Sequence, residues 1–337
     1  MRSALLTAPL KPLELVEREV PEPGPGEILV KVTACGMCFS EVNHLRGHYP
    51  FGTFPIVPGH EISGVVAALG EGVHWPQPGT RVGAAWPHGS CGHCDQCVRG
   101  DQILCSEMPR PVTGVNRDGG YAEYFVGRAG FVTPLPGGLD PVAAAPLMCA
   151  GITAFNGLRQ AGAAAGSKVA VLGTGGVGSL AARFAAAMGA RVAVVSRSRR
   201  AEDEARAHGA ELFVATSEQD PAAALQAWGG ADVIMNTAPD TATGLAAFGG
   251  LRADGTLLYL GFDAANVEVP AGALVVNRLR VMGSPSGSPH DLRDTLDFAA
   301  AHGIVPEVTP VPLDRAPEVL ADMDAGVHRG RAVITFE

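Results

Sequence analysis

The residues best suited to chemistry in this chain are its sulfurs and imidazoles. Cys38 opens Cys38-Phe39-Ser40-Glu41, and His60 sits in Gly59-His60-Glu61. A thiolate and an imidazole are ligands that Zn²⁺ prefers, and a catalytic zinc takes three protein ligands while keeping a fourth position open. Cys149, in Leu147-Met148-Cys149-Ala150-Gly151, is the candidate third ligand once the other cysteines are assigned. Taken singly, Cys38 reads as a small buried hydrophobe and His60 as a core histidine; only the set points to a metal. A second cluster is denser. Cys91-x₂-Cys94-x₂-Cys97-x₇-Cys105 places four thiols within fifteen residues, the spacing of a closed tetrahedral site that is structural and does no chemistry. An iron–sulfur cluster or a set of disulfides is the competing reading.

A third motif binds phosphate. The apolar run Val169-Ala170-Val171-Leu172 leads into Gly173-Thr174-Gly175-Gly176-Val177-Gly178, and Ser179 to Arg183 continues as a helix. Gly173 allows the tight turn, Gly175 lets the backbone approach a pyrophosphate, and Gly178 lets helix and strand pack closely. The helix N-terminus, starting at Gly176 and Val177, offers N–H groups and a positive dipole end to the phosphates. A glycine-rich packing turn is the bland alternative, and the strand before it and helix after it speak against that. An NAD site usually places Asp or Glu about twenty residues after this fingerprint. Here the next strand ends in Ser196, followed by Arg197-Ser198-Arg199-Arg200. Hydroxyls and guanidiniums suit a 2′-phosphate, so NADP(H) is expected over NAD(H). Glu202 and Asp203 follow on the next helix and are the nearest acids able to reach back.

These motifs need two frameworks. At 337 residues, two domains are the default. Residues 1 to 142 carry short alternating strands with Gly/Pro turns, a β-rich barrel interrupted by the Cys₄ lobe at about 88 to 108. From 143 to 288, strand and helix patterns alternate, with strands expected at Lys168–Leu172, Arg191–Val195, Glu211–Ala215, Asp232–Asn236, Gly255–Leu260 and Leu279–Met282. That alternation predicts a doubly wound parallel sheet, so the fold class is α/β. An Ala-rich helix is expected over Ala143 to Gln160, carrying Cys149 within it. Ser288 caps a further helix to His302, and 289–337 returns to the first domain.

Composition excludes several classes. The net charge is −9 and no basic, aromatic-interleaved stretch exists, so nucleic acid and anionic membrane surfaces are not expected partners. The uncharged run from Pro141 to Leu158 contains Pro146, Asn156 and two glycines, and reads as buried helix, not a membrane span. Seven cysteines, an odd number clustered for metal, fit a reducing cytoplasm better than a disulfide framework.

The set Cys35-Gly36-Met37-Cys38, Gly59-His60-Glu61, the Cys₄ run, Cys149 and the glycine fingerprint resembles the zinc-containing medium-chain alcohol dehydrogenases, including the cinnamyl and bacterial primary-alcohol types. The resemblance implies a GroES-like catalytic domain, a Rossmann domain, and two Zn²⁺ per chain, one catalytic and one structural. It implies that Cys38, not Cys35, binds zinc, and that Ser40 hands on the proton. It places Glu61 near the metal, as neighbour or occasional ligand, and Glu41, where relatives usually have Asp, as the partner orienting His60. Tyr49 and Trp86 fall where the family has pocket walls, core packing being an equal alternative. Thr153, Thr237, Gly261 and Ser284 would border the nicotinamide. A small-molecule alcohol or aldehyde substrate and a homodimer or homotetramer follow from the same likeness.

There are departures. Phe39 follows Cys38 where relatives often have His, and Asn43 replaces the terminal histidine of the proton relay, with His44 one position off. The expected activity is a zinc- and NADP(H)-dependent alcohol dehydrogenase or aldehyde reductase. Phe39 and Asn43 motivate an alternative, a biosynthetic reductase of an iminium or activated alkene. A non-enzymatic NADPH-binding protein is a third reading, and a second, open metal site argues against it.

Overall fold

The computed structural model describes residues 1–263 and 265–336; Ala264 and Glu337, at the end of the expected returning segment, lie outside the described residues. Two compact units emerge: Met1–Cys149 with Gly287–Glu337, and Ala150–Ser286. The first crossing thus lies beyond residue 142, so that Cys149 belongs with the β-rich unit.

The first unit is built around the strand Glu27–Gly36, whose sequence Ile28-Leu29-Val30-Lys31-Val32 buries its apolar positions. It pairs antiparallel with three others: Glu61–Leu69, Tyr124–Arg128 and Ala332–Thr335. The sheet runs Thr309–Pro312, Ala332–Thr335, Glu27–Gly36, Glu61–Leu69, Arg81–Ala84, Val132–Pro134. Register shifts at Leu29/Val30 and Val32/Ala34 bend the central strand, as a sheet curling toward a barrel requires. Ile28, Val30, Val32, Ile62, Val66 and Tyr121 are among the residues that fill the core. The returning segment therefore completes this sheet.

Two histidines lie within the first unit as neutral groups. His44 is 1% exposed and stacked 4.7 Å from Phe54; burial outweighs the Thr53 backbone and pushes its pKa down to about 4. His88, edge-on to Phe125, is pushed down to about 4 by burial and by the Arg117 and Arg128 charges. In the unfolded chain an imidazole titrates near 6.5. Between about pH 6.5 and 4 the unfolded state therefore binds more protons, so stability rises with pH across that window. Stability should be fully present above about pH 6.5 and decline as pH falls toward 4. Urea midpoints at pH 7 and 5.5 should show this decline, before most carboxylates titrate, and it should flatten in His44→Phe/His88→Gln. An unchanged slope in that variant would remove these two histidines from the explanation.

The second unit is a six-stranded parallel sheet: Ala210–Ala215, Arg191–Ser196, Lys168–Leu172, Ala231–Asn236, Leu251–Tyr259, Arg280–Gly283. In chain order this is 3-2-1-4-5-6, the doubly wound arrangement, and all six expected strands are present within a few residues. Val169 to Leu172 are fully buried, as continuous apolar strands covered on both faces should be. Leu251–Tyr259 starts earlier than expected. Asp254 takes φ +66° and the ladder with Ala231–Asn236 shifts register there, so Ala253-Asp254-Gly255, which reads as a turn, is an irregularity inside a strand.

The Ala-rich helix is also corrected. Residues 141–148 form a short helix and a 3₁₀ turn, the chain breaks at Cys149 with φ −127° and ψ −71°, and a separate helix runs Ala150–Gln160. Pro146 removes a helix donor, and the break brings the Cys149 sulfur to Cys38. Among the described residues no single helix is long and apolar enough to cross a membrane.

Candidate active site and dinucleotide loop

Cys38 ends the run from the central strand and caps the helix Phe39–Leu45. Glu41, at the third position of that helix, does two jobs. Its Oε2 accepts the Cys38 N–H at 2.7 Å, and its Oε1 lies 2.6 Å from His60 Nδ1. An ionised Glu41 fixes the proton on Nδ1 and turns the Nε2 lone pair inward. His60 Nε2 is buried and bonded to nothing among the described residues. Glu41 is buried and thus bonds to Cys38 and His60 with one carboxylate.

The sulfurs of Cys38 and Cys149 are 3.9 Å apart. Two thiolates each about 2.3 Å from a tetrahedral centre would stand about 3.8 Å apart. With His60 Nε2 and a Glu61 oxygen, their ligand atoms all lie within 4.8 Å of one another. The donor set and the orphaned Nε2 fit zinc. The Cys149 hydrogen bond, aided by His60, pulls Cys38 well below the usual thiol range, while Cys38 and burial raise Cys149. Both cysteines remain partly exposed.

Glu61 is fully buried, and burial pushes its pKa up to about 8 although the Arg331 guanidinium pairs with it. Arg331 also donates to the Met37 carbonyl at 3.1 Å. No sequence motif marks Arg331; its role comes from the returning strand laid beside the central one, and nothing in the sequence signals that pairing. Ser40 Oγ is 3.5 Å from Cys38 Sγ. Trp86 meets His60 edge-on at 4.9 Å, and Tyr49 meets Trp86 at 5.6 Å, so Trp86 packs directly on His60 and Tyr49 packs behind it. The Tyr49 phenol, raised to about 12 mainly by burial, also has Ser40 and Asn43 as hydrogen-bonding neighbours. Cys35 is fully buried, its ionisation suppressed by burial, in keeping with a packed thiol.

The Cys₄ lobe closes on itself. Cys91, Cys94, Cys97 and Cys105 bring their sulfurs together, with Cys91 and Cys97 3.8 Å apart. The N–H of Cys94 donates to Cys91 Sγ at 3.3 Å, and the backbone groups of Ser106 and Cys97 lower Cys94 to about 5. Four thiolates in this arrangement fit a zinc with no open position. Ser288, capping the helix Pro289–His302, accepts the Ile103 N–H at 3.1 Å and so ties the lobe to that helix.

In the second unit the fingerprint has the expected geometry. Gly173 has φ +102°, and a Cβ at Gly178 would lie 2.1 Å from the Gly173 carbonyl, so neither position admits another residue. Gly175 faces open space ahead of the helix Gly176–Ala187. Gly173, Ser196, Thr237, Gly261 and Ser284 all stand at or just after the C-terminal ends of parallel strands, where open α/β sheets bind their ligands. Thr237 Oγ1 donates to the Leu172 carbonyl at 2.7 Å and packs the glycine turn; Thr153 is buried on the helix Ala150–Gln160. Ser196 is half-buried; Arg197, Ser198, Arg199 and Arg200 are exposed.

A GroES-like barrel carrying a Cys/His/Glu cluster able to hold a metal and a Cys₄ lobe, with a Rossmann sheet, is the architecture of a zinc-binding dehydrogenase. Residues 24–137 match the family described as Alcohol dehydrogenase GroES-like domain, and 176–301 match Zinc-binding dehydrogenase. The chain is 35% identical to an alcohol dehydrogenase of Geobacillus stearothermophilus over 100% of its own length and 99% of the relative's. Among solved structures, a putative zinc-binding dehydrogenase from Sinorhizobium meliloti bound to NADP superposes with TM-score 0.88 at 30% identity, covering 99% of each chain. Acetophenone reductase from Geotrichum candidum in complex with NAD gives 0.87 at 27%, covering 99% of this chain and 97% of that one. The chain belongs to the zinc-containing medium-chain alcohol dehydrogenase family and is an oxidoreductase of that class.

Proposed function

We propose that this enzyme interconverts an alcohol and an aldehyde or ketone with NADP(H), using a catalytic zinc on Cys38, His60 and Cys149 and a structural zinc on the Cys₄ lobe. The observation that carries this reading is that one ligand atom each from Cys38, His60, Glu61 and Cys149 lies within 4.8 Å of the others, while His60 Nδ1 is held by Glu41. Zinc held there supplies Lewis acidity toward an alcohol or carbonyl oxygen, and the nicotinamide gives or takes a hydride. The protein's own part is positional. Glu41 orients His60, Trp86 and Tyr49 exclude water beside the ligands, and the Ser40 hydroxyl holds or passes the substrate proton. A panel of aldehydes, ketones and cyclic imines followed at the NADPH absorbance tests the proposal; oxidation of NADPH by none of the carbonyls would reject it.

Reduction of an iminium or activated alkene is the second reading. Asn43 cannot titrate, and His44, next in sequence, is buried and neutral, so neither of these two positions supplies an imidazole for proton delivery to a carbonyl.

The preference for NADP(H) rests on Ser196 and the arginines after it. Each charge-assisted bond to a 2′-phosphate is worth about 1.5–3 kcal/mol, so one gives roughly tenfold or more. Ser196→Asp/Arg197→Ala should shift the ratio of kcat/KM values toward NADH by at least about tenfold. Equal use of both cofactors by the wild type would overturn this preference. A homo-oligomer is supported by Arg280–Gly283, a strand that pairs on one side alone among the described residues, and by exposed Val275 and Val276 beside it. Seven free cysteines fit a reducing cytoplasm.

A further inference from the structure

The turn after Arg191–Ser196 holds three arginines that differ in what they do. Arg199 Nε lies 2.9 and 3.2 Å from the two Glu218 oxygens, and Arg199 Nη1 lies 2.6 Å from Glu202. Glu202 in turn accepts from Arg206 at 2.8 Å. The backbone around these pairs is joined as well: Thr216 N–H donates to the Ser196 carbonyl at 2.9 Å, and Ser217 N–H to the Arg197 carbonyl at 3.1 Å. The segments 196–199 and 216–218 are therefore fastened by two main-chain bonds and one forked ion pair. Arg197 and Arg200, by contrast, have no side-chain hydrogen bond or ion pair among the described residues.

We propose that Arg199 is a positioning residue for cofactor specificity. Locked to Glu218 and Glu202, it fixes the turn so that Arg197 and Arg200 present their guanidiniums to the 2′-phosphate, while its own charge is spent on the two carboxylates. This inference rests on the NADP(H) reading above. A fork committed to two carboxylates has few donors left for a third anion, whereas a free guanidinium keeps all five. Glu218 thus serves a phosphate site while carrying the wrong charge for one; without its bond to Arg199 it would repel the ligand.

The test is binding, with 2′,5′-ADP as the probe and 5′-AMP as the control, by isothermal titration of the intact protein. Arg197→Ala should weaken 2′,5′-ADP about tenfold or more and flatten the salt dependence of binding, since a direct charge contact is lost. Arg199→Ala and Glu218→Gln should each weaken it, because both release the turn; Arg199→Ala, which also leaves Glu218 unpaired, should lose about two- to fivefold, with the larger loss at low salt, and Glu218→Gln less. The double variant should be no weaker than Arg199→Ala alone, because it removes the same lock and the unpaired carboxylate with it. 5′-AMP binding should not change in any of them. The inference is overturned if Glu218→Gln leaves or improves the affinity while Arg199→Ala loses as much as Arg197→Ala, which makes Arg199 a phosphate ligand. It is also overturned if the wild type binds 2′,5′-ADP no tighter than 5′-AMP; that outcome removes the NADP(H) reading itself and is told apart by the unmutated protein.

Discussion

Dialysis against a chelator is expected to remove one zinc per chain and at least about 10³-fold of the activity before any change in the folded signal. The loss follows from the size of the effect: Lewis-acid stabilisation is worth several kcal/mol, and each 1.36 kcal/mol is about tenfold in rate. The order of release follows from the two sites. The proposed catalytic set has three ligands and one open position, which a competing ligand can occupy. The Cys₄ site has no such opening, and the lobe from about 88 to 108 has little else to fold around, with one short helix, Asp95–Val98, and one 3₁₀ turn. Releasing its metal should therefore unfold the lobe, because binding and folding are coupled there. Ser288, bonded to Ile103, should transmit that loss to the helix Pro289–His302. Elemental analysis of graded chelation, run beside circular dichroism and turnover, reads all three quantities. Folded, active protein with one zinc or none would contradict the assignment of two sites.

Ser40→Ala is expected to lower aldehyde reduction and alcohol oxidation together by roughly 10²–10⁴-fold, the range of a general acid–base step. Ser40 Oγ lies beside the Cys38 sulfur and has the Tyr49 phenol as a neighbour, which is the ground for proposing it as the hydroxyl that holds the substrate proton. An iminium brings its own proton and should tolerate the change. Comparing Ser40→Ala on an aldehyde and on a cyclic imine therefore separates the two functional readings. The outward step differs from the usual relay: His44 is stacked on Phe54 and held neutral near physiological pH. Reduction should outpace oxidation near neutral pH, and Asn43→His should raise the oxidation rate. Undiminished aldehyde reduction by Ser40→Ala would leave Ser40 without a catalytic role.

Much of this site is legible in the amino-acid sequence, for a physical reason. Metal ligands and glycine turns impose local rules: a thiolate is needed where zinc sits, and no Cβ fits at Gly178. The parallel strands are equally legible, because burial on both faces demands uninterrupted apolar runs. What escapes a sequence reading depends on distant pairing. Arg331 reaches Glu61 across 270 residues, and Arg199 reaches Glu218 only because neighbouring strands align their ends. The break at Cys149 comes three residues after Pro146 but is masked by the helix formers Leu147, Met148 and Ala150 around it.

The order in which the chain leaves the ribosome acquires a meaning from the split first unit. Ala150–Ser286 is contiguous and can fold as soon as it has emerged. The first unit cannot: residues 34–36 wait for their partners at 333–335, roughly 300 residues later. At about 5–20 residues per second, that is a delay of roughly 15–60 s. Throughout it, Ala34, Cys35 and Gly36 present an unpaired strand edge immediately before Cys38, an opening to wrong partners. Glu61 meanwhile lacks Arg331, which arrives with the same late strand. The frame around Glu61 is complete only once Arg331 arrives, so a nascent chain stalled before it would carry Cys38, His60 and Cys149 in an incomplete frame.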